Sequence, residues 1–213
     1  MPGLASAATY NDSFPQADEN PLSSSGTWVG GYTGFTAAQL KVVGHRVQST
    51  VLGDDARMTV SGFSFGADQY VQVTLSTFNS ADGIAFFLLL RWSAPTSPSG
   101  YEIAGIRSSG SDTLYIFELD GGENVLDSVG LTISPGDVFK ATAVGSTITV
   151  YQNNVQILQT TDATYATGRV GLGAFISGTT GAGLADLEMD NFMGGDLGGT
   201  TSGQTWNGPV VFQ

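Results

Sequence analysis

Residues 147–175 restrict the fold of this chain more than any other segment. Ile148 and Val150 alternate with polar neighbours, which is the two-residue period of a strand buried on one face. Asn153 and Asn154 follow, and because Asn tolerates positive φ, an Asn pair between two alternating strands predicts a two-residue hairpin turn. A polar loop and a third strand complete the segment. The pattern is that of an antiparallel β protein.

The rest of the chain repeats this pattern and shows no helical periodicity longer than two turns. The other predicted strands are 39–49, 57–65, 69–78, 84–92, 101–107, 113–119, 126–133, 138–144 and 184–192. A dozen short strands separated by turn signals predict an all-β fold, a two-sheet antiparallel jelly-roll sandwich, and 213 residues suffice for its core. The residues predicted to face inward are Val71, Val73, Leu75, Ile116, Ile148, Val150, Ile157, Leu172 and Leu187.

Two runs carry a family resemblance. After the hairpin the sequence passes through Asp162, Tyr165 and Gly168 into the next strand, and near the start Asp12-Ser-Phe14 precedes a Trp. This arrangement resembles concanavalin A-like and laminin-G-like jelly-roll domains, of the kind found in phage structural proteins and carbohydrate-binding modules. The resemblance covers about residues 11–195. It implies that the first and last strands pair, with residues 12–14 beside 190–192.

Composition changes at both ends of the chain. Residues 1–10 are predicted to form an N-terminal arm, 11–195 the sandwich, and 196–213 a Gly/Thr/Ser-rich C-terminal arm. The last arm ends in Val210, Val211 and Phe212, an apolar group suited to strand addition on a neighbouring subunit. Folding back onto its own domain is the alternative. The first interpretation predicts a homo-oligomer or a larger particle.

Charge excludes some partners. The net charge is −12 with seven basic residues, so nucleic acid would be repelled.

No apolar run is long enough to span a bilayer, and the first residues show no secretory signal pattern. The chain has no cysteine, which excludes disulfides and thiolate sites. A virion surface or an extracellular setting is expected.

The motifs of the catalytic relatives are missing. Residues 186–190 alternate acidic and apolar side chains, but the residue types differ from a glucanase motif, and an acidic strand face is the preferred interpretation. The single histidine, His45, is interpreted as a surface residue on a strand. No catalytic residue is predicted, and the protein is not expected to be an enzyme.

Calcium is the one candidate ligand ion. The resemblance implies a rim-loop calcium, for which Asp12, Asp190 and Asn191 are candidate ligands, with residues 53–55 and 120–123 as further acidic loops. Asp-Gly loops also form plain turns, so the choice stays open at this point.

Glycan binding requires exposed aromatic faces beside polar groups. Trp92, Tyr101, Arg107 and Tyr115 would form such a patch if their strands are neighbours, although each could also be a core or rim residue. The predicted function is a non-catalytic structural or adhesion protein, a capsid-decoration or tail component of a virion that binds cell-surface polysaccharide. A free-standing carbohydrate-binding module is the alternative, and a glycan-cleaving hydrolase or lyase comes third.

Overall fold

A computed structural model describes residues 7–23, 26–30, 39–93 and 98–198 as two antiparallel sheets packed face to face. A 3-10 helix spans Leu184–Asp186. The strands are β1 (Thr9–Asp12), β2 (Trp28–Gly30), β3 (Leu40–Val43), β4 (Arg46–Ser49), β5 (Ala56–Val60), β6 (Gln69–Phe78), β7 (Ile84–Trp92), β8 (Ser99–Ser108), β9 (Ser111–Asp120), β10 (Glu123–Leu131), β11 (Val138–Val144), β12 (Thr147–Gln152), β13 (Val155–Thr161), β14 (Arg169–Ile176) and β15 (Leu187–Asp196).

The strands divide between an eight-stranded and a seven-stranded sheet. The eight-stranded sheet has the order β13-β12-β11-β6-β15-β4-β3, with β1 also paired to β15. The seven-stranded sheet has the order β10-β9-β8-β7-β14-β5-β2. The prediction of an all-β, two-sheet antiparallel jelly-roll sandwich is confirmed.

Turn chemistry was predicted correctly at one hairpin and incompletely at another. Asn153 and Asn154 have φ of 52° and 66° and connect β12 to β13, as expected. The single strand predicted over 39–49 is instead two strands, because Gly44 and His45 also adopt positive φ, 55° and 66°, and reverse the chain. His45 therefore lies exposed in a turn and not on a strand.

The first and last strands pair as expected, with Asp12 opposite Phe192. Asp12 is buried, and its carboxylate accepts a hydrogen bond of 2.9 Å from the Trp28 indole N–H, which ties the N-terminal region to β2. β1 begins at Thr9 and β15 ends at Asp196, and the division of the chain into arms and domain stays a prediction.

The core lies between the two sheets. All residues predicted to face inward belong to it, and Ile157 alone among them is only half-buried, since it lies on the edge strand β13. Strand β7 is the middle strand of the seven-stranded sheet and is buried on both faces. Phe86 faces the core between the sheets, and Phe87 faces the opposite, outer side.

Candidate functional site

The outer face of the seven-stranded sheet carries a second apolar cluster, separate from the core between the sheets. Strands β7, β8 and β9 supply its members through the two-residue period, which sends every second side chain to this face. The buried members are Ala85, Phe87, Leu89, Trp92, Ala104, Phe117 and Leu119.

The register places aromatic, small and charged residues in one row across this face. Tyr115 of β9 lies opposite Ala104 of β8, and Ala104 lies opposite Phe87 of β7. Phe87 lies opposite Gly173 of β14, and Gly173 lies opposite Arg57 of β5. The row therefore runs from an aromatic ring at one end to a guanidinium at the other.

Arg57 is the centre of a charged cluster at that end. Its Nε and Nη2 donate to the two carboxylate oxygens of Glu102, over 2.5 and 3.0 Å. Its Nη1 lies 2.8 Å from an Asp55 oxygen, and its Nη2 lies 3.7 Å from Glu123. The guanidinium also lies 4.5 Å from the centre of the Phe87 ring. Arg57 thus contacts three carboxylates, and two of them, those of Asp55 and Glu123, come from the acidic loops 53–55 and 120–123.

The contact between Arg57 and Glu123 shows that this face is concave. Strands β5 and β10 are five positions apart in the sheet, about 24 Å at the usual spacing between strands. An arginine and a glutamate side chain cannot bridge that distance across a flat sheet. The sheet must therefore curve toward this face, which also explains why side chains in its centre are buried, as Arg57 and Glu102 are.

Burial and the charge of the partner shift the pKa values of Arg57 and Glu102 in opposite directions. Burial alone would lower the pKa of Arg57, but the carboxylates of Glu102 and Asp55 outweigh it and hold that pKa above its usual value. Burial raises the pKa of the Glu102 carboxyl, and the charge of Arg57 opposes this. A carboxylate in bidentate contact with an always-charged guanidinium stays ionised at neutral pH. The Arg57–Glu102 pair is thus a fixed pair of opposite charges, and Glu123 contacts it from an exposed position.

A glycine makes room for the arginine. A Cβ on Gly173 would lie 2.6 Å from the Ala56 carbonyl oxygen, 2.9 Å from the Phe87 ring and 3.1 Å from Cγ of Arg57. The missing side chain lets Arg57 cross β14 toward β8. The glycine is required chiefly by the close approach of the Ala56 carbonyl oxygen and the Phe87 ring, and it also leaves room for Arg57.

The accessible part of the concave face lies over β9 and β10, and we call it the accessible strip. Tyr115 is half-buried and stacks on Phe117 with ring centres 5.3 Å apart and an angle of 17° between the rings. Val125 lies opposite Phe117 and is 51% exposed, and Ser128 lies opposite Tyr115. Glu123, whose side chain is 51% exposed, adds a carboxylate at the end of the strip. An apolar ring surface beside hydroxyl and carboxylate groups can contact both the C–H faces and the hydroxyls of a sugar.

Two residues of the predicted glycan patch, Trp92 and Tyr115, reach this outer face. Trp92 does so because Arg91 has φ of 50° and interrupts the alternation of β7 with a bulge. Trp92 is fully buried within the outer cluster. Arg91, also buried, donates instead to backbone carbonyls of three loop residues, Ala67, Gly145 and Tyr165.

The other two residues of the predicted patch face the opposite side. Tyr101 belongs to the core between the sheets, and its hydroxyl donates to Asp162 over 2.6 Å. Burial and this hydrogen bond raise the pKa of Tyr101 to about 12. Arg107 donates to both oxygens of Asp112 and lies 4.7 Å from the centre of the buried Phe78 ring. The structure therefore does not bring the four residues together.

The predicted metal ligands Asp12, Asp190 and Asn191 all make hydrogen bonds within the protein. One oxygen of Asp12 accepts the Phe14 backbone N–H over 2.8 Å, and the other accepts the Tyr10 hydroxyl as well as the Trp28 indole. Asp190 accepts the N–H of Asn191, which has φ of 51° and is exposed. Within the described ranges, no three His, Cys, Asp or Glu side chains gather in a way that would hold a metal ion. The hydrogen bonds of Asp12 favour a structural role for it.

The acidic strand at 186–190 is held by hydrogen bonds. Glu188 accepts hydrogen bonds from Arg46, Gln48 and Thr77, at 2.8, 2.6 and 2.8 Å. Burial would raise the pKa of Glu188, but these donors hold it below its usual value. An ionised carboxylate with its oxygens engaged has no proton to donate as a general acid near neutral pH.

Arg57 and Glu102 were not among the residues predicted from the sequence. The available signal was a charged residue with apolar neighbours in each of two strands, Arg57 in β5 and Glu102 in β8, with opposite signs. The pairing itself was invisible, since the two residues are 45 positions apart in the chain. The predicted assembly residues Val210, Val211 and Phe212 lie outside the described residues, and their role stays a prediction.

Comparison with known proteins shows the fold. No protein-family model matches the sequence, and no curated protein matches it. Solved structures do match, among them a Bacillus subtilis protein of unknown function with a galectin-like fold, at a TM-score of 0.60 and 11% identity over 87% of this chain and 94% of that one. The carbohydrate binding module CBM66 from Bacillus subtilis has a TM-score of 0.57 and 14% identity, over 78% and 91% of the two chains.

A module of a phage protein matches a larger share of this chain than the two Bacillus subtilis structures do. The CBM2 module of the evolved Dit of Lactobacillus casei BL23 phage J-1 has a TM-score of 0.55 and 12% identity, over 94% of this chain and 99% of that one. At these identities the matches define the fold alone. The chain has the concanavalin A-like jelly-roll fold. No helix in the described part of the chain has the length and apolar character needed to cross a membrane.

Proposed function

We propose that this domain binds glycans on its concave face and does not cleave them. The observation that carries the proposal is the accessible strip, where the stacked Tyr115 and Phe117 lie on the same face as the Glu123 carboxylate, which contacts Arg57. Aromatic rings cover the apolar face of a sugar, and fixed polar groups select its hydroxyls. Because the buried Arg57–Glu102 pair is already held by two hydrogen bonds, a ligand would not have to order the arginine that Glu123 contacts, and this preserves affinity.

The proposed setting is the surface of a virion, as a capsid-decoration or tail component that attaches to cell-surface polysaccharide. The fold shared with a phage Dit module over nearly the full length of both chains supports this setting. A free-standing carbohydrate-binding module is the second candidate, and the similarity in fold to CBM66 supports it. Both candidates use the same face.

A glycan array followed by calorimetry with the strongest glycan tests the proposal. Tyr115→Ala removes the aromatic surface and should weaken binding about tenfold, equivalent to about 1.4 kcal/mol. Val155→Ser is the control, because Val155 is 64% exposed on an edge strand of the other sheet. The proposal is wrong if no glycan binds, or if both variants bind like the wild type.

Cleavage requires a separate assay. We expect no new reducing ends and no unsaturated products when the protein is incubated with neutral and acidic polysaccharides. Glu188 and Asp190 are the residues to substitute if cleavage appears, since they lie on the acidic strand nearest to a glycosidase pattern. Turnover that Glu188→Gln abolishes would overturn the non-catalytic assignment.

A further inference from the structure

Strand β13 forms one edge of the eight-stranded sheet, and no strand of the described ranges pairs with its outer side. Its seven residues, Val155–Thr161, include no charged residue and no proline. Natural edge strands usually carry such residues, because an edge presents unpaired N–H and C=O groups to which another strand can add. Strand β13 therefore offers a place for strand addition.

The pairing with β12 shows which backbone groups of β13 point away from the sheet. The ladder is regular from Leu158 to Thr161 and shifts register at Ile157. Beyond its end, the N–H of Asp162 donates to the Ser146 carbonyl oxygen over 2.8 Å. Because direction alternates along an antiparallel strand, the N–H and C=O groups of Gln159 and Thr161 face outward.

The other three sheet edges are covered, charged or short. Strand β3 is covered, since the backbone of residues 19–22 pairs with it. Strand β10 carries Glu123 and Asp127 and shifts register between residues 125 and 127. Strand β2 has only three residues. Among the described strands, β13 is therefore the edge best suited to pairing.

The charges of the chain leave the region around β13 free of acid. The neighbouring strands β6, β11, β12 and β13 contain none of the 19 acidic residues and a single basic one, Lys140. Strands β9 and β10 contain five acidic residues, Asp112, Glu118, Asp120, Glu123 and Asp127. Two copies of a chain with a net charge of −12 repel each other least where both surfaces lack acid. The charge distribution thus favours contact between two copies at β13.

We propose that two copies of this chain pair through β13 in antiparallel orientation. The two eight-stranded sheets then form one continuous sheet of sixteen strands. The outward groups of Gln159 and Thr161 of each copy bond to the other copy in place of water. Each copy uses the same surface, so the contact closes with twofold symmetry and stops at a dimer.

The symmetry also sets the direction of the two concave faces. In a continuous sheet with antiparallel β13 strands, the twofold axis is perpendicular to the sheet. Both seven-stranded sheets therefore lie on the same side of the joined sheet, and both concave faces point away from it on that side. This consequence rests on the proposed function: if the concave face binds glycan, the dimer binds a glycan-covered surface more tightly than one copy does.

Sedimentation and light scattering of the full-length protein over a range of concentrations test the pairing. The wild type should approach twice the mass of one chain as its concentration rises. Gln159→Lys should raise the Kd of the dimer at least tenfold, because a twofold axis near this exposed residue brings its two copies within about 8 Å of each other. Val43→Lys is the matched control, since it adds the same charge at an exposed position of β3, the opposite edge of the sheet, and should leave the Kd unchanged.

A second variant tests the backbone contact itself. Thr161→Pro removes an outward N–H but none that faces β12, so circular dichroism should be unchanged while the Kd rises at least tenfold. A wild type that stays monomeric, a dimer that Gln159→Lys leaves intact, or a dimer that depends on residues 199–213 and not on Gln159 would overturn the proposal. Dimerisation by a protein that binds no glycan would confirm the pairing and refute only the proposed function.

Discussion

Substituting one residue of the buried Arg57–Glu102 pair should lower the free energy of unfolding of the domain strongly. Arg57→Met leaves the Glu102 carboxylate, 1% exposed, without the guanidinium that binds both of its oxygens. Removing one partner of a buried ion pair costs about 3–5 kcal/mol. Since about 1 kcal/mol corresponds to roughly 2–4 °C in a domain of this size, the melting temperature should fall by roughly 6–20 °C.

Removing both partners should restore most of that loss. In Arg57→Met/Glu102→Leu no buried charge remains unpaired, and replacing a buried pair with apolar residues is often neutral or stabilising, by about 1–4 kcal/mol. The free energy of unfolding of the double variant should therefore lie close to that of the wild type. Urea unfolding of the wild type, both single variants and the double variant gives the coupling energy.

The double variant also links stability to binding. It should fold but bind glycan weakly, because Asp55 and Glu123 lose the arginine that holds them at the face. Single variants that each cost less than about 1 kcal/mol, or a double variant whose loss equals the sum of the two, would refute the argument. Full glycan affinity in a folded double variant would show that the charged cluster is structural only.

Four further predictions address the core, the packing, the buried lysine and the C-terminal arm. Ile148→Ala removes a fully buried side chain and should lower the free energy of unfolding by about 2–5 kcal/mol; an unchanged urea midpoint would contradict the burial of that hairpin. Gly105→Ala would place Cβ 2.1 Å from the Phe86 ring and should cost about 1–3 kcal/mol, whereas Gly130→Ala, with no atom within 4 Å, should be neutral in the same assay. The pKa of Lys140 is about 8 in the folded state and 10.5 when unperturbed, so the unfolded state binds more protons between these pH values. The free energy of unfolding should therefore rise by about 1–3 kcal/mol from pH 7.5 to 9.5. Lys140→Met should flatten that rise in urea titrations at the two pH values. Deleting residues 199–213 should leave the melting temperature unchanged and reduce the assembled mass in light scattering; an unchanged mass would make the segment a linker only.

Local sequence signals were enough to predict the fold class and the orientation of most side chains. The two-residue period in β12 placed Ile148 and Val150 in the core, and Asn153 and Asn154 supplied the hairpin turn. These signals are local because alternation and turn preference depend on neighbouring residues alone. The pairing of Asp12 with the last strand came from the family resemblance, and the structure confirms it.

The candidate site depended on the tertiary structure. Arg57 and Glu102 meet across β14 and β7, which lie between their strands, and no local pattern encodes that strand order. The curvature that brings Glu123 to Arg57 and the bulge at Arg91 that turns Trp92 outward also arise from packing of the whole sheet. Alternation assigned Tyr101 and Tyr115 to faces of their own strands, but only the pairing of β8 with β9 showed that these faces are opposite. Outside bulges such as the one at Arg91, local alternation determines which side chains share a strand face. The order and curvature of the strands decide which faces meet, because those depend on contacts between residues far apart in the chain.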